Sequence, residues 1–427
     1  MTKPIDQHRI NFGGKEDPKG RLFVCPKTAA ITDLKNVRVL HTGVDTVRQL
    51  YRGKLVPGLV DKLAESNGHV SMFGTVWFAG RVGRDSGYQY KLQNLDLGLI
   101  LLVKNFNAKP EHFGPHLKIE VSPHLIQSRT PEDLQKLLDS YAHQVLDECT
   151  HNQCAIHIAV DIQGYNLPSD LVARMHCKAR AQRDISGVQR IEFDGKFAVY
   201  GRGETFMWGA PSGIQLSMYN KTAQAKAIDK LDYWESIWRS HDNPFDDKDP
   251  LNYDPSMPVL RIELRYHHSV IEQFAQGSVN VTSGAVIDTH TYADLVPHLT
   301  AIWRYGLSNF KLLDTPSTYN ALWTFLRQDI IVSIPPDLTP DDVEYKRHYK
   351  TASGFSGKNV ELFLGNMISL LAREGVGAKK AFNSLQRWEC WTVIKDHFEQ
   401  KGKTERDIYD WIRDKLTERT IRWGVAV

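Results

Sequence analysis

The chain is poor in cysteine, with five in 427 residues, which excludes a disulfide framework as its source of stability. Long apolar runs are missing as well. The best, Leu97 to Val103, has the length of a strand, not of a bilayer span. The N-terminus opens on a mixed polar segment without the apolar core of a secretory signal. The expected location is therefore the cytoplasm, with no membrane partner. There is no internal repeat and no low-complexity tract. Charge of one sign is not in excess either, since the net value is only +3. What remains is an ordinary globular composition, 41% hydrophobic and 24% charged. At roughly 100–200 residues per domain, that length predicts two or three domains.

The distribution of charge says more than its sum. Residues 345–427 hold 16 Lys/Arg and 10 Asp/Glu, so the rest of the chain is slightly acidic. A basic C-terminal region on a near-neutral body points to an anionic partner; a solvated helical surface is the alternative. Three divisions follow: an N-terminal arm over 1–36, rich in Lys, Asp, Gly and Pro; a mixed α and β region over 37–288; and a mainly helical region over 289–427. Within the middle region, Leu134, Leu137, Leu138, Tyr141, Val145 and Leu146 recur at helical steps. Thr130-Pro131-Glu132-Asp133 has the form of a helix start. The expected fold class is α+β: an antiparallel sheet with one polar catalytic face and packed helices, followed by a mainly helical C-terminal region.

Four short segments carry the functional signal. Successive strand residues face opposite sides. In Leu117–Ser122, Leu117, Ile119 and Val121 oppose Lys118, Glu120 and Ser122. In Ile156–Ile162, four apolar residues oppose His157, Ala159 and Asp161. In Ile214–Lys221, Ile214, Leu216 and Met218 oppose Gln215, Ser217, Tyr219 and Lys221. In Leu260–Arg265, Leu260, Ile262 and Leu264 oppose Arg261, Glu263 and Arg265. A sheet with one side in water accounts for the alternation alone. It does not account for acidic residues at strand centres, where they are depleted.

If the strands share a sheet, Glu120, Asp161 and Glu263 converge with His157. That is a mostly oxygen donor set, suited to Mg²⁺ or Mn²⁺. Lys118, Lys221, Arg261 and Arg265 would supply charge for phosphate. Tyr219 would stand beside them, with Lys221 favouring its phenolate. This set fits cleavage of a phosphodiester by a tyrosine, leaving a 5′-phosphotyrosine and a free 3′-hydroxyl. A second short cluster, Cys149, His151, Cys154 and His157, has zinc-like residue types but is a single knuckle without a second Cys pair. Incidental thiols are the expected reading.

The ordered set resembles the replication initiators of filamentous phages, the gene II protein type, and the wider replication initiation factor family of rolling-circle plasmids. The matching elements run from Lys118 to Pro123, the strand ending at Asp161, Tyr219-x-Lys221, and Arg261-x-Glu263. A weaker likeness extends over Leu385 to Gln400. Length and an aromatic-rich C-terminus look most like the Pf-type inoviruses of Pseudomonas. The resemblance implies origin-specific nicking of the phage replicative form and later rejoining. It also implies partners: double-stranded and single-stranded origin DNA, and a host helicase and polymerase. Self-association is left open. The paired-histidine motif of better-known nicking enzymes is missing, because Ala159 follows His157 at the next same-side position, and His267 and His268 are expected to point to opposite sides.

Tyr266 is the rival nucleophile, since some plasmid initiators carry a tyrosine shortly after the Arg-x-Glu strand. Parity places it opposite Glu263 unless the strand breaks first. In the C-terminal region, Val360–Leu371, Arg387–Phe398 and Arg406–Arg422 read as amphipathic helices, the last with Ile408, Trp411, Ile412 and Leu416 on one stripe. Lys379, Lys380, Arg413, Lys415, Arg419 and Arg422 are candidate DNA-backbone contacts; a helical scaffold is the alternative. A non-enzymatic DNA-binding regulator and a metal-dependent nuclease using water stand as competing functions.

Overall fold

The computed structural model describes residues 4–10, 20–66, 68–177, 182–184, 205–246, 249–277, 279–280, 287–332, 343–344, 351–352, 355–399 and 401–424. The architecture is α+β, with a large antiparallel sheet, packed helices and a helical C-terminal region. Two compact units divide between Arg347 and His348, not at 288/289. The helices that follow residue 289 explain the shift. They bury Leu299, Ile302, Trp303, Trp323 and Phe325 in the same core as the sheet.

Among the described residues, eleven strands form the main sheet. In chain order they are β1 (Arg38–Leu55), β2 (His69–Met72), β3 (Thr75–Arg81), β4 (Tyr88–Asn94), β5 (Leu99–Asn105), β6 (Gly114–Val121), β7 (Leu146–Gln163), β8 (Gln182–Asp184), β9 (Thr205–Gly209), β10 (Ile214–Asn220) and β11 (Leu260–Tyr266). Their spatial order is β8-β9-β10-β11-β7-β1-β6-β5-β4-β3-β2. The two 18-residue strands β1 and β7 pair along most of their length and form the spine. The four anticipated segments are β6, β7, β10 and β11. Three of them are direct neighbours, and only β1 separates β7 from β6.

One face closes on the main core. Ile156, Ile158, Val160 and Ile162 bury there with Leu216, Met218, Ile262 and Leu264, and with Leu117, Ile119 and Val121. Each such side chain contributes about 1.5–3 kcal/mol when fully buried. Helix α1 (Pro131–Val145) covers this face, capped by the Thr130 hydroxyl accepting from the Asp133 amide at 3.1 Å. The opposite face is covered in part by α2 (Lys221–Ala227) and α3 (Leu231–Trp238). These build a small second core from Leu40, Ala225, Trp234, Trp238, Tyr253 and Val259.

The expected N-terminal arm is structural instead. Leu22–Val24 pairs with His8–Ile10 and Ile31–Asp33, and Phe23 is buried in the main core. Gln7 donates to Asp314 at 2.6 Å, and Arg9 pairs with Asp329 at 2.9 Å. The short apolar run Leu22–Cys25 was enough to recruit the segment.

The C-terminal unit has its own core. It holds α4 (Gly357–Arg373), α5 (Ala378–Gln386), α6 (Trp391–Glu399) and α7 (Glu405–Gly424). Leu364, Ile368, Leu385, Ile394, Ile408 and Ile412 close it. The stripe anticipated on α7 is buried as Ile408, Ile412 and Leu416, with Trp411 packed at its margin. The helix expected from Arg387 begins only at Trp391.

Candidate active site

The polar face of β1, β7, β10 and β11 gathers the site, and one residue arrives there through a defect in the ladder. Along β1 and β7, His157 pairs with Thr46, but the next residue, Ile158, pairs with Val44. Asp45 is therefore the extra residue of a β-bulge, a device that re-aims a side chain. Val44 and Val47 both face the main core. Asp45 and Thr46 turn to the other face, where the Thr46 hydroxyl donates to Asp45 at 3.2 Å. Strict alternation cannot place such a residue. The available signal was two valines three apart in one strand.

Asp45, His157 and Glu263 each offer a ligand atom, and these atoms lie within 4.8 Å of one another. One imidazole nitrogen and two carboxylate oxygens fit a hard or borderline divalent cation. Around Glu263 the contacts are dense. The Tyr219 hydroxyl donates to its Oε2 at 3.1 Å, and His157 Nδ1 lies 3.1 Å from its Oε1. Arg265, two residues along β11, forks onto both oxygens at 2.8 and 3.1 Å. Burial by itself would raise the Glu263 carboxyl, but Arg265 and His157 hold it well below the usual range. Glu263 is thus an ionised acceptor on the phenol. Burial, and then Glu263, push the Tyr219 phenol well above its ordinary value.

The other two carboxylates proposed as ligands are engaged elsewhere. Asp161 accepts a fork from Arg261 at 2.6 and 2.7 Å and a third bond from the Trp238 indole at 2.9 Å. Glu120 pairs with Lys118 at 3.1 Å and Arg48 at 3.2 Å. Neither joins the group around Glu263. Arg261 is fully buried, and its third nitrogen reaches Asp45. It ties the bulge to Asp161 across β7.

Lys221 reaches the site by a different route from the one anticipated. The strand ends at Asn220, whose side chain accepts from the Ala223 amide at 2.9 Å and caps α2. Lys221 is the first residue of that helix. Its ammonium lies 4.3 Å from the Trp234 ring centroid and 6.0 Å from that of Tyr219, and donates to Gln224 at 2.9 Å. Burial, then Arg261, lower its pKa to about 8.

Two clefts flank the cluster. One, about 650 Å³, has His157 and Arg265 in its wall, along with Arg48, Lys118, His267 and His268. The other, about 370 Å³, has Asp45 and Lys221 in its wall. The two histidines do not diverge as expected. The strand stops at Tyr266, and the rings of His267 and His268 lie 3.9 Å apart. Burial, then His267, lower His268 to about 4, so the pair adds no charge at neutral pH.

Tyr266 stays on the strand and faces the main core, 1% exposed, with its hydroxyl donating to the Ile302 carbonyl at 2.6 Å. Gly306 packs against that hydroxyl so closely that a Cβ would collide with it. The structure therefore separates the two candidate tyrosines by the thickness of the sheet.

The C-terminal basic residues are less available than their sequence implied. Arg413 pairs with Asp410 at 2.7 Å and Asp414 at 3.0 Å, and Lys415 with Glu418 at 2.6 Å. Arg419 donates inward to the Gly365 carbonyl and the Ser369 hydroxyl. Lys379 and Lys380 stand exposed at the start of α5. Arg422 lies in α7, but its side chain falls outside the described residues. In the Cys/His segment, Cys154 is buried in the main core and His151 pairs with Asp139 at 2.9 Å. Among the described residues, these do not form a metal-ligand group.

No protein-family model matches the chain, and no solved structure matches it. Uncharacterized protein ORF430 of Pseudomonas phage Pf1 is 51% identical over 432 aligned positions, which span 100% of each chain. The chain belongs to the family of this phage protein.

Proposed function

We propose that this protein initiates rolling-circle replication of a phage genome by nicking one DNA strand at the origin, with Tyr219 as the nucleophile. The observation that carries this reading is the Tyr219 hydroxyl on Glu263 at 3.1 Å, beside a three-residue group with metal-ligand geometry. Kinship with a phage protein supports the setting. In the reaction, the phenolic oxygen attacks the phosphorus and the P–O3′ bond breaks. The phenolic proton passes along its hydrogen bond to Glu263 and on to bulk water, because Arg265 and His157 keep that carboxyl too acidic to retain it. The departing 3′-oxygen takes a proton from the Lys221 ammonium. The product is a 5′-phosphotyrosine and a 3′-hydroxyl, and a later 3′-hydroxyl reverses the step and rejoins the strand. Mg²⁺ or Mn²⁺ held by Asp45, His157 and Glu263 would supply positive charge for the phenolate and for a non-bridging phosphate oxygen. Arg265 and Lys118 line the cleft beside this group and offer donors to the DNA backbone. Duplex origin DNA, the released single strand, and a host helicase and polymerase are the partners of this reading.

Supercoiled phage origin DNA incubated with the protein and Mg²⁺ or Mn²⁺, then denatured, tests it. Protein bound covalently to a 5′ end is expected, with the adduct lost in Tyr219→Phe and on chelation by EDTA. A nick without an adduct assigns the same carboxylate–imidazole group to a water nucleophile. No nick leaves a DNA-binding regulator. An adduct that persists in Tyr219→Phe overturns the assignment of the nucleophile.

A further inference from the structure

The smaller cleft opens beside the chemistry proposed above and shares two residues with it. Its wall includes Asp45 and Lys221 from the site and the rings of Tyr233, Trp234 and His124. At about 370 Å³ it falls in the range of small-molecule sites. A phosphate would find it a poor home, because the exposed wall is mainly apolar and the carboxylates of Asp45, Asp229 and Asp232 outnumber the ammoniums of Lys221 and Lys230. The aromatic groups are not equivalent. Trp234 is buried, with Lys221 and Arg261 over its ring at 4.3 and 4.1 Å. Tyr233 is only half-buried, and its hydroxyl is pinned to Gln127 at 2.6 Å, which holds the ring in place. The His124 ring stands edge-on to it at 6.5 Å and 82°. Gln224 is the amide of the wall. Gln224 accepts from Lys221 through its Oε1, and this orients its amide nitrogen as a donor.

A half-buried tyrosine ring with an amide beside it, close to a nucleophile, has the chemistry of a pocket for an unstacked base. We propose that this cleft receives a single unpaired nucleobase next to the scissile phosphate, stacked on Tyr233, with a carbonyl oxygen of the base accepting from Gln224. This rests on the strand-nicking reading and extends it, because it makes the bound DNA locally single-stranded at the nick. A base drawn out of the helix fixes the neighbouring phosphate against Tyr219, so base identity and cleavage position become coupled.

The test uses the full chain carrying Tyr219→Phe, which binds without cleaving, and two fluorescein-labelled six-nucleotide probes. One is oligothymidylate, whose base has two carbonyl oxygens. The other is an abasic strand of the same length and charge. Fluorescence anisotropy without divalent metal is expected to show the thymidylate bound about tenfold or more tightly than the abasic strand. Adding Tyr233→Ala removes that difference, while Tyr233→Phe, which keeps the ring, retains it. Gln224→Ala reduces it severalfold. Equal affinity of the two probes, or a difference that survives Tyr233→Ala, overturns the proposal. Failure of the nicking reading has another signature: no covalent adduct forms on origin DNA, whatever the anisotropy shows.

Discussion

The two faces of β7, β10 and β11 share one backbone and one register, and they differ only in what alternate residues carry. On one face stand Ile156, Ile158, Leu216, Met218, Ile262 and Leu264, packed into the main hydrophobic core. On the other stand His157, Asp161, Tyr219, Arg261, Glu263 and Arg265, tied together by charge-assisted hydrogen bonds. Both faces are buried at this point. Burial therefore does not distinguish a core from a site here; chemistry does. The apolar face stabilises without direction. The polar face survives only because each carboxylate has found a cation, and an ionised group left unpaired there would be costly.

The comparison is sharpest where a partner is removed. Arg261→Met strips Asp161 of its fork and Asp45 of its ion pair, and is expected to destabilise the protein by about 3–5 kcal/mol. Urea unfolding would show this, and a loss of under about 1 kcal/mol would mean that solvent already reaches Asp161. The two tyrosines give the next effect, in opposite currencies. Tyr266→Phe removes the donor to the Ile302 carbonyl and should cost about 1–3 kcal/mol in the same assay, with covalent adduct formation retained. Tyr219→Phe should leave stability within about 1 kcal/mol, since Arg265 and His157 still hold Glu263. An exchange of these two outcomes would mean that the faces have been assigned the wrong way round.

The smallest effect is a pH dependence. Burial lowers Lys221 to about 8 from an ordinary 10.5. Below pH 8 the lysine is charged in both states and burial disfavours the fold. Between 8 and 10.5 the unfolded chain binds more protons than the folded one, so stability rises with pH. The wild type should gain on Lys221→Met across that window and nowhere below it. Melting temperatures of the two proteins at pH 7 and pH 10 would show the gap change; a constant gap would mean that Lys221 keeps its ordinary pKa.

A second contrast concerns the basic residues. Residues 345–427 carry the charge excess, yet Arg413 and Lys415 are paired with acidic neighbours on their own helix. In the sheet, Arg48 on β1, Lys118 on β6 and Arg265 on β11 line one cleft, although they too have carboxylate partners, Glu120 and Glu263. Linear charge density is thus a poor guide to a charged surface. Helical spacing lets Asp and Glu one turn away neutralise Arg and Lys.

The period-2 alternation made four strands and their faces legible, and with them the juxtaposition of Tyr219, Glu263, His157 and Arg265. The sequence also placed Tyr266 opposite Glu263 by the same parity. It could not reveal Asp45, because a bulge breaks the rule that exposes the rest. Lys221 was put on a strand that stops one residue earlier, since an asparagine cap competes with strand continuation only once a helix has something to pack against. Glu120 and Asp161 were grouped with Glu263 by residue type, and the structure gives each of them different cations.

What the sequence by itself determined is therefore local: which side of each strand every polar residue occupies, because Cβ direction follows from backbone geometry alone. Tertiary structure decided which of those residues meet. Strand order brought β10, β11, β7 and β1 side by side, and the bulge in β1 turned Asp45 into the group. Register between strands distant in sequence depends on the packing of both faces at once, and no window along the chain contains that information.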